Sequence, residues 1–280
     1  SRGRSVAEVL AVREQGEAPG PPVTVRPADV LPPLVQAMRG AHAGLGRAQA
    51  HLGVDVPALH SNRGKGLFED SAVAAGLHVQ NRYVQWGAGL ADFDNDGFVD
   101  LMCMTGHVYP EIERSLEQYP HRGPRLLFRN KAVSTGDVRF EDVTAASGSG
   151  VTTPHSSRGA AFGDIDNDGD IDVLVMNMNE PPSLLRNDYS GGNNWIDVVL
   201  RGRASNRSAI GATVIVSAAG KRQARAVLSQ SSYYSHDDLR LHFGVGSATR
   251  VDEIEVRWPN GQVQRVKDVD TRKLVTIDER

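Results

Sequence analysis

The sequence predicts an all-β fold in two parts: a radial or stacked array of repeated β units, left open or truncated, followed by a small antiparallel β-sandwich-like domain. Three observations predict it. A nine-residue acidic turn occurs twice, as DFDNDGFVD at 92–100 and DIDNDGDID at 164–172, with every Asp of the first copy recurring at one constant offset. The hairpin pattern beside it also recurs, and Phe140 follows Phe68 by the same interval that separates Asp164 from Asp92. From Trp195 onward the chain becomes short alternating segments separated by turn residues, the spacing of an antiparallel sandwich or barrel.

In chain order, residues 1–58 contain no aromatic residue, hold half of the 14 prolines, and are rich in Ala, Gly and Arg. Such a segment has little apolar surface to bury and is expected to be poorly ordered or a degenerate N-terminal piece. Within it, LPPLVQAMRGAHAGLGRAQAHLGV places Leu34, Val35 and Met38 at helical spacing, but interspersed glycines limit the prediction to a short helix. The repeat region, 59–192, opens with SNRGKGLFED, a turn followed by apolar–polar alternation and therefore a hairpin. LLFRNKAVSTGDVRFEDVT at 126–144 has the same form, and SLLRNDYSGGNN at 183–194 repeats its first half. One such unit cannot cover its own apolar faces, so neighbouring copies must stack. The insertion GHVYPEIERSLEQYPHRGP predicts a loop with a helical turn over one end of the sheets.

Each acidic turn is flanked by strands: 86–91 and 158–162 lead in, and the apolar runs VDLMCM and IDVLVM lead out, as strands buried on both faces do. Within the turn, Asp92, Asp94 and Asp96, and in the second copy Asp164, Asp166 and Asp168, stand at positions 1, 3 and 5 and converge on one point. Gly97 or Gly169 at position 6 permits the reversal that turns the next carbonyl inward, that of Phe98 or Asp170. Asp100 or Asp172 at position 9 closes an oxygen-only shell. Carboxylates held about 4 Å apart repel by roughly 4 kcal/mol per pair at an effective dielectric near 20, so a cation is the simplest reason to gather them. A flexible, many-ligand oxygen shell suits Ca2+ better than Mg2+, and two Ca2+ sites are expected. Position 12 is Cys103 or Val175 rather than Glu, so the motif is not an EF-hand.

A chain of 280 residues with 40% hydrophobic content can bury a real core. Its net charge of −3, without a basic cluster interleaved with aromatics, argues against nucleic acid as a partner. No stretch approaches the roughly 18 apolar residues of a membrane span, and no signal sequence stands at the N-terminus. The opening residue is Ser1 rather than Met, which predicts a removed leader or a fragment. Cys103 is the single cysteine, excluding an intramolecular disulfide, and reads as a small buried apolar residue. In the tail, 193–280, Pro259-Asn260-Gly261 and Ala219-Gly220 mark hairpin turns. Asn206-Arg207-Ser208 fits an N-glycosylation acceptor.

On these residues the repeat region resembles the FG-GAP/VCBS repeat proteins, whose blades carry DxDxDGxxD calcium loops as integrin α-subunit propellers do. The tail segments NNWIDVVLRG, SNRSAIGATVIV, DLRLHFGVG and VDEIEVRWPNG resemble the ASPIC/UnbV domain. Together they point to the cartilage acidic protein-like family, including bacterial members found beside enediyne biosynthesis genes. The resemblance implies a secreted or envelope-located β-propeller with a C-terminal β domain, acting by binding. It places calcium ligands at Asp92, Asp94, Asp96, Phe98 and Asp100 and at Asp164, Asp166, Asp168, Asp170 and Asp172, with Phe98 and Asp170 using backbone oxygen. The chain departs from the pattern at AHLGVDVPALHSNRGKG, where an earlier blade's acidic loop is missing. A closed propeller takes at least four blades, so an open arc or a truncated piece is expected, with edges that need covering.

Function follows as an extracellular or envelope calcium-stabilised interaction module with a protein or glycan partner. A second reading is a small-molecule or glycan-binding accessory of a biosynthetic pathway, using Tyr83, Trp86, Tyr109, Tyr119, Tyr233 or Tyr234. The third and weakest is a hydrolase using His155, Ser156, Ser157 and Arg158, or His107 and Glu111. Adjacency of Ser and His does not make a triad, because geometry defines one.

Overall fold

The computed structural model describes residues 10–11, 48–49, 58–64, 67–80, 82–131 and 138–280. The expected disorder and short helix of the N-terminal segment, and the missing loop near 54–56, lie outside the described residues. The fold is all-β, with helical structure among the described residues confined to single turns.

Two short strands, β1 (Leu10–Ala11) and β2 (Ala48–Gln49), come first. The predicted hairpin follows as β3 (Ala58–Gly64) and β4 (Leu67–Asp70). The first acidic turn joins β5 (Gln85–Ala91) to β6 (Asp100–Thr105), and β7 (Leu126–Asn130) and β8 (Phe140–Asp142) complete that unit. The second joins β9 (Ser157–Gly163) to β10 (Asp172–Asn177), followed by β11 (Ser183–Asn187). These strands form three open antiparallel sheets, ordered β2-β3-β4, β5-β6-β7-β8 and β1-β11-β10-β9. The insertion after β6 contains the predicted helical turn, α1 (Ile112–Ser115); α2 (Ser149–Thr152) precedes β9.

The middle sheet is buried on both sides, and every residue of β6 is buried. Leu101 and Cys103 pack toward the β3–β4 side with Leu59 and Phe128. Met102 and Met104 pack toward the last sheet with Phe162, Val173 and Val175. The sheets approach closely because β5 carries glycine where β9 crosses it. A Cβ on Gly89 would stand 2.2 Å from the Phe162 ring, and one on Gly87 would stand 2.7 Å from the Arg158 carbonyl oxygen.

Strand β10 corrects the expectation that both exit strands are buried on two faces. Val173 and Val175 are buried, but Leu174 and Met176 are 41% and 51% exposed, together with Leu184 on β11. Among the described residues no further sheet lies on that face, and the sheets remain open rather than closing into a ring.

The alternating tail segments form seven strands: β12 (Asn194–Arg201), β13 (Thr213–Ala218), β14 (Lys221–Ala226), β15 (Leu241–Gly246), β16 (Arg250–Arg257), β17 (Val263–Asp270) and β18 (Lys273–Asp278). They form two sheets, β15-β12-β18 and β14-β13-β16-β17. The core includes Val198, Val214, Phe243, Ile254 and Trp258. The sandwich is not wholly antiparallel, because β18 pairs with β12 in parallel, Ile196 opposite Lys273. The intervening β13–β17 supply the crossover that a parallel pair requires. The predicted turns form, with Ala219 (φ 49°), Gly220 (φ 75°) and Gly261 (φ 90°) in the left-handed region.

Strands β5 and β9 are edges of their sheets, and the tail covers both. The Ala88 N–H donates to Ser232 Oγ (2.8 Å), the Phe162 N–H to Asp237 Oδ1 (3.0 Å), and the Asp238 N–H to the Phe162 carbonyl (3.0 Å).

Candidate metal centre

Each acidic turn is built by its own carboxylates. Asn95 and Asn167 at position 4 take φ 57° and 63°, and Gly97 and Gly169 at position 6 take φ 90° and 93°, so the chain reverses tightly. Asp92 accepts the N–H groups of Asp96 (3.1 Å) and Gly97 (2.8 Å), and Asp164 that of Gly169 (3.1 Å). The position 9 carboxylates bridge neighbouring segments. Asp100 accepts from the Phe93 and Asn130 N–H groups, and Asp172 from those of Ile165 and Asn187, all at 2.8–3.1 Å.

The turns bring together one carboxylate oxygen each from Asp92, Asp94 and Asp100, all within 4.8 Å of one another, and likewise from Asp164, Asp166 and Asp172. These are positions 1, 3 and 9. Position 5 stands outside both clusters: Asp96 Oδ1 accepts the Phe98 N–H (2.8 Å) and Asp168 Oδ1 the Asp170 N–H (2.9 Å), which fixes the backbone of position 7. The Asp170 side chain turns to the first loop instead, accepting from Asn95 Nδ2 (2.9 Å), which also donates to the Gly169 carbonyl (3.1 Å). The two turns therefore touch.

Sequence reasoning missed the basic residue that meets each cluster. Arg129 on β7 pairs with Asp94, and Arg186 on β11 lies 3.5 Å from Asp166. The repeated Leu-Leu-x-Arg-Asn and Leu-Leu-Arg-Asn segments at 126–130 and 184–187 carried the signal, since the Asn after each Arg also supplies the N–H to position 9.

The first cluster is wholly buried, whereas Asp166 of the second is exposed. Burial, reinforced by Asp96 and Asp94, holds the Asp92 carboxyl well above the usual range, and burial with Asp94 and Asp92 does the same to Asp100. Asp96, Asp164 and Asp168 are raised chiefly by burial. Burial and Asp168 push Asp170 up to about 7, and burial pushes Asp172 up to about 6. Two oxygens of clustered residues, Asp94 Oδ1 and Asp164 Oδ1, are buried without any hydrogen-bond partner. An unsatisfied buried acceptor costs about 1–3 kcal/mol, more when charged. The donor set is oxygen alone, with no imidazole or thiolate, so these residues fit a hard cation.

The other predicted residues separate. His155 Nδ1 pairs with Glu180, while Ser156 Oγ meets the His107 carbonyl (3.4 Å) and Arg158 (3.1 Å). His155 and Ser156 are thus not joined as base and nucleophile. Ser157 Oγ donates to Asn177 (3.0 Å), His107 Nδ1 accepts the Tyr109 N–H (3.1 Å), and Glu111 is exposed before α1. Trp86 is brought to Tyr233 (5.1 Å between ring centroids) under the Arg158 guanidinium (4.4 Å), with Tyr234 edge-on to Tyr233. Tyr83 is buried in the core, while Tyr109 and Tyr119 lie on the insertion. Burial pushes the Cys103 thiol up to about 12, so it is inert. The Asn206 amide is occupied by both polar groups of the Ile210 backbone, at 2.8 Å each.

Residues 202–280 match the ASPIC and UnbV family. Cartilage acidic protein 1 from Homo sapiens is 25% identical over an alignment that takes in 73% of this chain and 37% of that protein. The Mus musculus and Xenopus tropicalis proteins are 24% and 23% identical, each with 38% of its length covered. The chain thus spans under two fifths of these relatives. No helix among the described residues is long and apolar enough to cross a membrane. Its C-terminal part is an ASPIC/UnbV domain, and the chain is a distant homologue of cartilage acidic protein 1.

Proposed function

We propose that this chain is a calcium-stabilised interaction module of the extracellular space or cell envelope, in which two Ca2+ ions lock FG-GAP/VCBS-type blades of a partial propeller. The observation that carries this reading is the pair of three-carboxylate clusters, each containing a residue, Asp94 or Asp164, with a buried oxygen that has no hydrogen-bond partner. Asp92, Asp94 and Asp100 would hold one ion and Asp164, Asp166 and Asp172 the other. The free oxygens of Asp96 and Asp168 and the backbone oxygens of Phe98 and Asp170 complete the expected shells. The ion neutralises converging charge between consecutive strands, and the chain's own residues then keep each turn in shape. The distant homology to a protein named for cartilage supports an extracellular location. The partner is a protein or glycan; chemistry on a substrate is not part of the proposal.

Each Ca2+ at 100 times its Kd adds roughly 2.7 kcal/mol to the folded state, so two filled sites add about 5.4 kcal/mol. At about 2–4 °C per kcal/mol for a chain of this size, emptying both sites with a chelator lowers Tm by about 11–22 °C. A melting curve that is the same with chelator and with excess Ca2+ would end the proposal.

A second reading, a glycan or small-molecule accessory, is favoured by the Trp86–Tyr233–Tyr234 cluster beneath Arg158. Tyr234 is 65% exposed and held at φ 46°, a strained conformation that displays its ring at a turn tip. Binding in a glycan array that is lost in Tyr234→Ala, with the Ca2+ response intact, separates this reading from a protein-binding role.

A further inference from the structure

We infer that the C-terminal domain is the partner the two acidic turns address, so that cation binding and the seating of this domain on the repeats are one linked equilibrium. The inference rests on the calcium reading of the turns and adds a regulation that reading does not contain.

The turns present carboxylates inward and peptide groups outward. The tail meets the outward groups one by one. Asn193 Nδ2 donates to the Asp94 carbonyl (2.7 Å), the Gly246 N–H to the Asn95 carbonyl (2.8 Å), and Lys221 Nζ to the Asp96 carbonyl (3.1 Å). In the second turn, Arg240 donates to the Asp164 carbonyl.

The position 4 side chains do the same. Asn95 Oδ1 meets His242 Nε2 (2.6 Å), and Asn167 Oδ1 accepts from Arg240 Nη1 (2.6 Å). His242 is fixed from behind by the buried Asp197 through Nδ1 (2.8 Å). Both asparagines take left-handed φ, and while their Oδ1 atoms meet the tail, Asn95 Nδ2 reaches across to Asp170 of the second turn. The tail backbone also lies on the first turn, since a Cβ on Gly244 would stand 2.1 Å from Asp92 Oδ2.

Lys221 and Arg240 donate to carbonyl oxygens of the turns, so these contacts depend on the shape of each turn, and their charges also act on Asp96 and Asp164. A cation that draws the carboxylates together sets that shape. Without it, repulsion among three converging carboxylates opens the turn and carries the outward groups away from their donors. By linkage, whatever the cation contributes to seating the domain, the seated domain returns to cation affinity. The tail's footing on β5 through Ser232 touches neither turn and stays in place, whereas Asp238, which holds β9 at Phe162, is itself paired with Arg240.

The test uses the full chain with Ca2+ as the only probe. Calorimetry of Arg240→Ala and Lys221→Ala, neither of them a proposed ligand, should show Ca2+ affinity at one site weakened about 5- to 150-fold, with Arg250→Ala unchanged as control. In the unmodified chain, chelation should speed exchange of the Gly246 amide at least about 5-fold while the Ala88 amide, held by Ser232, changes much less. Wild-type Ca2+ affinity in both variants together with equal Gly246 exchange in both states overturns the inference. If a variant fails to fold, the exchange comparison in the unmodified chain decides alone. If the unmodified chain takes up no Ca2+ at all, the calcium reading itself falls, an outcome distinct from Ca2+ binding without linkage.

Discussion

Asp94 shows how little of an acidic residue's role lies in its own letter. Its Oδ1 is buried without a partner and its Oδ2 is tied to Arg129, so in the cation-free protein it adds repulsion to Asp92 and Asp100. Asp94→Asn should leave the chelated protein as stable as before or more so, while titration calorimetry loses one of two Ca2+ binding events. The pH dependence is also decided at single carboxyls. In the cation-free fold, Asp170 at about 7 and Asp172 at about 6 keep protons that the unfolded chain, with carboxyls near 3.9, has released. The folded state then binds more protons, so this contribution is full below about pH 4 and is lost as pH rises through 6 and 7. Melts in chelator should show Tm falling from pH 5 to pH 8, and added Ca2+ should remove or reverse that slope.

The acidic turn as an element was legible because its determinants are local: Asp at alternate positions, Gly at position 6 and apolar strands either side. Which carboxylates converge was legible in part: positions 1, 3 and 9 were all in the expected set, and position 5 was expected to join them. Position 5 instead faces the N–H of position 7, while β7 or β11 holds position 9 through a backbone N–H. The glycines separate the two kinds of information. Gly169 and Gly192 both have left-handed φ, but a Cβ on Gly169 would stand 1.8 Å from the Trp195 indole, whereas one on Gly192 meets nothing within 4 Å. Gly192→Ala should cost only the left-handed penalty of about 1–2 kcal/mol. Gly169→Ala should cost about 1–3 kcal/mol more, because the indole must move, and a shift in tryptophan emission should accompany the lower Tm.

At the scale of the molecule, the repeat sets a further test. Met104 and Met176 occupy equivalent positions in the two copies of the repeat, yet one is fully buried between two sheets and the other is half exposed. Met104→Ala should cost about 2–5 kcal/mol in a denaturation experiment and Met176→Ala no more than about 0.5 kcal/mol. Equal losses would mean that the outer face of β10 is covered in solution. The sequence alone determined the all-β class, the seven tail strands, the repeat and the two acidic turns, because strand alternation, turn chemistry and the spacing of acidic residues act between near neighbours along the chain. Tertiary structure alone decided that β10 is open on one side, that β18 runs parallel to β12, that Ser156 and His155 part company, and that the C-terminal domain sits on the backs of both turns. Those outcomes depend on which surfaces meet between segments far apart in the chain, and no local pattern encodes them.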